Sequence, residues 1–299
     1  MPGKVLVGVF CYNEGMNVLN IVKSLIEQLE STDFVINILD DSDESESIEI
    51  SHSLACLDPR VLVSHSDVRL GRISRANELA EKFLASDFDY LLHFNADLVL
   101  GPSCVPSLIR GLTRGLDLVT GVSLSLPGRN LFERSLRVLA RPGEMGRLSG
   151  ASRAPLTGHL AGYSRPGVQA LFPLPTDGAA EDLYTLSKAI SLHLRISVVS
   201  EAIVYYRLCG SLSEYLVWGK RVFGMTRLAV LQNEETGVKS RNMLYDDVKL
   251  KMVVSAIFSD PVASLVLPFV LVLRLGLTLF PERAPSVNWV PLLSTKELK

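Results

Sequence analysis

Acidic side chains stand where this chain's apolar runs give out. Residues 89–97 read Asp89-Tyr90-Leu91-Leu92-His93-Phe94-Asn95-Ala96-Asp97, a buried-strand pattern that runs into a carboxylate. Ile38-Leu39-Asp40-Asp41 repeats the arrangement upstream, and Glu181-Asp182 adds an acidic pair downstream. Open parallel sheets bind their ligands outside the carboxyl ends of the strands, so acids at those ends stand where such folds do their chemistry. The placement predicts an enzyme.

The elements that must position these acids follow from periodicity. Short apolar runs at 4–10, 34–40, 60–64, 89–94 and 117–122 predict strands, and helical patterns at 14–30, 45–56, 72–86 and 103–114 fill the gaps between them. Such alternation predicts parallel βαβ units and a doubly wound, mostly parallel α/β sheet with flanking helices. With 299 residues and 47% hydrophobic composition, a sizeable core needs no disulfide support. Cys11, Cys56, Cys104 and Cys209 show no paired ligand spacing, so they are expected to be small core residues in a reducing compartment, without a zinc site. A net charge of −2 gives no reason to expect general nucleic-acid binding. The apolar run at 4–10 is too short for a secretion signal.

Two stretches break the α/β rhythm. Residues 127–155 carry Arg129, Arg134, Arg137, Arg141, Arg147 and Arg153 against Glu133 and Glu144, with Leu131, Phe132, Leu136 and Leu139 on a helical stripe. Such a basic amphipathic segment suits anionic headgroups or a lipid phosphate, and equally a solvated helix with one core-facing stripe. Residues 261–280 are almost wholly apolar, and as one helix would span about 30 Å. Pro268 and Arg274 oppose a clean span, which predicts a kinked or re-entrant membrane segment.

Taken in order, Phe10-Cys11-Tyr12-Asn13-Glu14, Asp40-Asp41-Ser42-Asp43, Gly71-Arg72-Ile73-Ser74-Arg75-Ala76-Asn77, Asn95-Ala96-Asp97 and Glu181-Asp182 resemble family 2 glycosyltransferases of the GT-A fold. The resemblance covers roughly residues 4–225 as a catalytic domain, with 226–299 left as a helical, membrane-associated region. It implies an enzyme that takes a sugar from a nucleoside diphosphate, UDP- or GDP-linked, with inversion of the anomeric centre.

The same resemblance assigns roles. Tyr12, Asn13 and Glu14 would hold the nucleotide, and Asp40 and Asp41 would read the base, although Asp-Asp-Ser-Asp alone reads as a helix cap. Arg72 and Arg75 would meet the phosphates, with Asn77 bracing the loop. Asn95-Ala96-Asp97 corresponds to a metal motif whose first acid is here an amide, leaving Asp97 as the ligand for Mg²⁺ or Mn²⁺. Asp182 would be the catalytic base, with Glu181 beside it to orient it or bind acceptor. Gly158, His159, Trp218 and Arg221 would flank the acceptor, while a lone His on an apolar strand also reads as core and a Trp as a headgroup anchor.

The expected activity is therefore metal-dependent transfer of one sugar to a lipid-linked or glycan acceptor at a membrane, in cell-envelope glycan synthesis, with the catalytic domain in the cytoplasm. Alternatives are a polyprenyl-phosphate glycosyltransferase, whose acceptor anion needs no base, a nucleotidyltransferase, and a non-catalytic nucleotide-sugar binder. The processive form is disfavoured, because 215–224 lacks a strict Gln-x-x-Arg-Trp spacing.

Overall fold

The computed structural model describes residues 3–149, 158–176, 181–235, 248–279, 293–296 and 298, with the side chains of 224–235, 293 and 295 left aside. Arg153 and Phe280 lie outside the described residues. Strands are β1 (Val5–Cys11), β2 (Phe34–Asp40), β3 (Val61–His65), β4 (Tyr90–Asn95), β5 (Val99–Leu100), β6 (Leu118–Ser125), β7 (Leu160–Ser164) and β8 (Ile196–Tyr206). Helices are α1 (Met16–Leu29), α2 (Ser45–Ser53), α3 (Arg72–Leu84), α4 (Cys104–Thr113), α5 (Leu131–Leu148), α6 (Arg165–Leu171), α7 (Glu181–Ser191), α8 (Leu212–Glu235), α9 (Leu250–Ser259), α10 (Pro261–Ser264) and α11 (Leu267–Leu279).

One eight-stranded sheet runs β3-β2-β1-β4-β7-β6-β8-β5. Its first four strands are parallel, as the alternation predicts. Register pairs Cys11 with Asp40 and Phe10 with Asn95, so three strand exits open on one edge. Gly8 keeps this half tight, since a Cβ there would lie 2.1 Å from Leu79 of α3.

Past β4 the run of parallel strands is interrupted, although β6 and β8 pair in parallel again. β6 does not lie beside β4: β7 inserts between them, antiparallel to both. Gly162 permits that insertion, because a Cβ on it would lie 2.8 Å from both Leu92 and Val119. The sheet is therefore mixed.

Both faces are covered. Val18, Ile21, Val22, Leu25 and Leu29 of α1 follow helical spacing and join α4 against one face, while α3, α6 and α7 cover the other. A smaller cluster beside the sheet packs Leu136 of α5, Tyr215 of α8, and Val270 and Leu277 of α11. Cys11, Cys104 and Cys209 are buried in agreement with expectation, but Cys56 is exposed on the short turn after α2.

The apolar stretch from 261 is not one long helix. It divides into α10 and α11, with the break just ahead of Pro268, which lacks an N–H to continue a helix and fits only a first turn. No helix among the described residues is long and apolar enough to cross a membrane.

Candidate active site

Adjacent carboxylates at the β2 exit do different things. Asp40 has no exposed surface and is enclosed by Ser42, whose backbone N–H donates to it at 3.1 Å, and by His65 Nδ1 at 3.1 Å. Buried and bonded in this way, Asp40 holds the turn closed. Asp41 instead lines an ≈100 Å³ cavity with Tyr12, Glu14, Arg69, Arg72 and Asp97. The Gly71 N–H donates to Asp41 at 2.7 Å, and so does Nε of Arg75, also at 2.7 Å.

Arg75 belongs to this frame. Its other nitrogens reach Glu78 at 2.7 Å and the Asp40 carbonyl at 2.9 Å, so it braces the turn that presents Asp41. Asn13 is likewise a clamp: its side-chain oxygen accepts from the N–H groups of Asp43 and Glu44 at 3.0 and 3.1 Å, and its amide donates to Asp43. It does this from a left-handed backbone, φ 52°, a conformation asparagine tolerates better than most residues. Tyr12 donates to Asp43 at 2.9 Å, with the Arg69 guanidinium 3.5 Å above its ring. Asn77 exchanges hydrogen bonds with the Leu174 backbone at 2.7 and 2.8 Å, tying α3 to the segment after α6.

A larger cavity of ≈470 Å³ lies on the other side of Asp97. It is walled by Leu136 and Leu139 of α5, Gly158 and His159 before β7, Asp182 of α7, Trp218 and Arg221 of α8, and Arg274 of α11. Tyr215, Trp218 and Val222 follow helical spacing, which brings them to one face of α8, and Trp218 stacks on Tyr215 at 5.6 Å. Gly158 has φ 68°, and a Cβ on it would come within 3.2 Å of the Asp182 carboxylate, so a side chain at 158 would crowd the acid. His159 bonds Ser123 at 2.9 Å and packs on Tyr206, and burial drives its pKa down to about 3, so it is neutral.

Arg72, Asn95 and Asp97 line both cavities and form the partition between them. Arg72 donates to the Asn95 amide oxygen and pairs with Glu181, tying the β4 exit to the start of α7. Burial raises the Asp182 pKa, with Arg72 pulling the other way. Glu181 is pushed up to about 7 by burial, with Asp182 adding to the rise and Arg72 opposing it. Asp97 is likewise raised by burial, against the pull of Lys296, Arg72 and Arg221. Burial lowers Arg221 to about 10, which leaves it charged at neutral pH.

Several residues at or beside the cavities escape sequence reasoning. Arg69, Arg207 and Arg274 line the cavities, Lys296 lies beside Glu14, and the four sit in no recognisable motif and come from separate segments. Lys296 donates to the Asn13 carbonyl at 2.7 Å and to the Tyr12 carbonyl, and lies 3.2 Å from Glu14. Burial and the Asp97 charge push Glu14 up to about 7.

Residues 6–172 match the family described as glycosyl transferase family 2, a stretch that takes in the motifs from Tyr12 to Asp97 and stops short of Glu181. Over 115 residues the chain is 33% identical to Glycosyltransferase AglD of Haloferax volcanii, covering 37% of this chain but only 18% of that protein. Mannosyltransferase PcManGT from Pyrobaculum calidifontis, solved with GDP-Man and Mn²⁺, superposes with a TM-score of 0.60 at 16% identity, over 94% of this chain and 81% of that one. GalNAc-T7, solved with UDP, GalNAc and Mn²⁺, gives a TM-score of 0.51 at 14% identity over 70% of this chain and 44% of that one. At such identities the structural likeness speaks to the fold, which is GT-A. The family match spans more than half of the chain, and the chain belongs to glycosyl transferase family 2: it is a glycosyltransferase.

Proposed function

We propose that this enzyme moves a single sugar, with inversion, from a nucleoside-diphosphate sugar to a membrane-presented acceptor. The observation that carries the reading is the pair of cavities meeting at Arg72, Asn95 and Asp97. One has the polar frame of a nucleotide site. The other has apolar walls with arginines among them.

In this reading the nucleotide lies along Tyr12, Glu14 and Asp41, and Arg69 and Arg72 meet the diphosphate. Among the described residues no group of three or more His, Cys, Asp or Glu gathers to cage a metal. Asp97 fits Mg²⁺ or Mn²⁺ all the same, because such ions take one or two protein carboxylates and complete their shell with water and phosphate oxygens. The Asn95 oxygen already accepts from Arg72, so it serves the ion less directly. A bound ion would offset charge on the departing diphosphate. That relatives of the same fold were solved with a nucleotide and Mn²⁺ supports this choice.

Across the partition, Asp182 takes the proton of an acceptor hydroxyl as its oxygen attacks the anomeric carbon opposite the diphosphate. The raised proton affinity of Asp182 suits a base. Arg72 holds Glu181 alongside, and Trp218 and Arg221 orient the acceptor. Membrane presentation draws support from exposed apolar side chains on α9 and α11 and at the end of α10, including Leu250, Phe258, Leu265 and Val272, which suit a face lying on a bilayer from the cytoplasmic side. One observation favours a phosphate acceptor as the second reading: Arg207, Arg221 and Arg274 all line the acceptor cavity, a strong cationic set for an acceptor with a hydroxyl.

A panel of UDP- and GDP-sugars with Mg²⁺ or Mn²⁺, scored by nucleoside diphosphate release, tests the reading. Metal-dependent release from one donor, abolished in Asp97→Ala, is expected. Pyrophosphate release would point to nucleotidyl transfer, and binding without turnover to a non-catalytic binder.

A further inference from the structure

The side of α5 turned away from the catalytic cavity has no part in the reaction above. Leu136, Leu139 and Ala140 line the catalytic cavity, whereas Arg134, Arg137, Val138 and Arg141 line a second cavity of ≈230 Å³. Residues three, four and seven apart share a helix face, so the two sets stand on opposite sides of one helix. Ser259 and Asp260, at the junction of α9 and α10, close the second cavity.

Three arginines there meet one aspartate. Arg134 takes both Asp260 oxygens in a fork, each at 2.7 Å. Among the described residues, Arg137 and Arg141 form no ion pair with a carboxylate, and Nε of Arg137 is buried without a hydrogen-bond partner. Buried donors in folded proteins are nearly always satisfied, so an orphan guanidinium N–H beside a basic cavity points to an absent acceptor. The flanking residues in the chain are apolar and exposed: Phe258 is 75%, Val262 57% and Leu265 81% exposed. A free anion would give these side chains nothing to cover them. An anionic lipid supplies both a phosphate for the arginines and an acyl layer for the rim.

We propose that the cavity between α5 and the α9–α10 junction binds the headgroup phosphate of an anionic phospholipid, with Arg137 and Arg141 gripping it while Phe258, Val262 and Leu265 enter the acyl layer. The proposal rests on the membrane-presented reading of the acceptor and names the surface by which the enzyme reaches it. The site touches no reacting atom.

The test is co-sedimentation of the full-length protein, without donor, with vesicles of phosphatidylcholine alone or mixed with phosphatidylglycerol, at low and high salt. Wild type is expected to favour the mixed vesicles at low salt. The double variant Arg137→Gln, Arg141→Gln should lose about thirtyfold of that partition, roughly fivefold for each cation near the surface. Unchanged melting temperature and donor turnover in the variant confirm that it folds. Equal partition of wild type onto both vesicles, or no loss in the folded variant, overturns the proposal. Inorganic phosphate that raises the melting temperature of wild type alone, with no vesicle preference, reassigns the cavity to a free anion and also overturns it. A variant that does not fold is replaced by Phe258→Ser, for which undiminished partition is the overturning result. Because partition is read without donor, a failed donor panel and a failed lipid site are separate results.

Discussion

At the β2 exit, Asp40 and Asp41 are held by hydrogen bonds from Ser42 and from Gly71 and Arg75 at the start of α3, beside the four parallel strands. On the acceptor side the cavity is lined from α5, α7, α8 and α11 and by loops beside β7 and β8, with Leu136 and Arg274 more than a hundred residues apart in the chain. The first region is a rigid polar frame and the second an amphipathic wall. A nucleotide is one recurring shape that a fixed frame can grip, whereas in the proposed reading the other cavity admits an acceptor delivered from a membrane. Under the proposed function, the difference makes donor recognition a property of the sheet edge and acceptor recognition a property of the helices packed beside it.

The comparison breaks most visibly at Asp182. Asp182→Asn is expected to reduce turnover by about 10²- to 10⁴-fold with a hydroxyl acceptor while nucleotide affinity is kept. Retained turnover would transfer the chemistry to the arginine set and favour a phosphate acceptor. Single-turnover rates alongside nucleotide titration separate the two.

Arg72 belongs to both regions, so its loss should damage both. Removing its contacts to Asn95 and Glu181 is expected to lower kcat/KM for donor by roughly 100-fold, about 3 kcal/mol, as for charged hydrogen bonds left unmade. Arg72→Lys should not restore it, because an ammonium cannot span both partners as a fork does. A variant with normal donor kinetics would show that Arg72 is not the partition.

Trp218 sharpens the contrast. Trp218→Ala is expected to raise the acceptor KM about tenfold, the loss of one well-packed aromatic contact, and to leave donor KM unchanged. Equal effects on both substrates would mean that α8 supports the whole site.

The smallest expected effect is on stability against pH. Glu181 is ordinarily near pH 4 when unfolded and about 7 when folded, so between these values the folded state binds the extra proton. Stability contributed by that proton is present at low pH and declines as pH rises toward 7. Melting temperatures should fall across that window in wild type and stay flatter in Glu181→Gln. Identical slopes would show that Glu181 does not titrate with folding.

Apart from the two-residue β5, strand and helix positions through residue 125 were readable because buried strands and amphipathic helices impose local periods on the chain. The acids at strand exits were readable for the same reason. Their separate fates were not: Asp40 and Asp41 are neighbours of one type, and only the packing of His65 and Ser42 on one and of Gly71 and Arg75 on the other makes the first enclosed and the second a cavity wall. The sheet's change of direction was equally hidden, since nothing local in Leu160-Ala161-Gly162-Tyr163 states which strands will accept it on either side.

By itself the sequence determined an α/β core, the strand ends that carry acids, and through its ordered motifs the family. Tertiary structure alone decided which side chains share a space. Periodicity is a property of residues a few positions apart, whereas a cavity is made by segments whose separation in the chain has no bearing on their distance in space. Lys296 beside Glu14, Arg274 sharing a cavity with Leu136, and Arg137 sharing one with Asp260 each depend on that second kind of proximity.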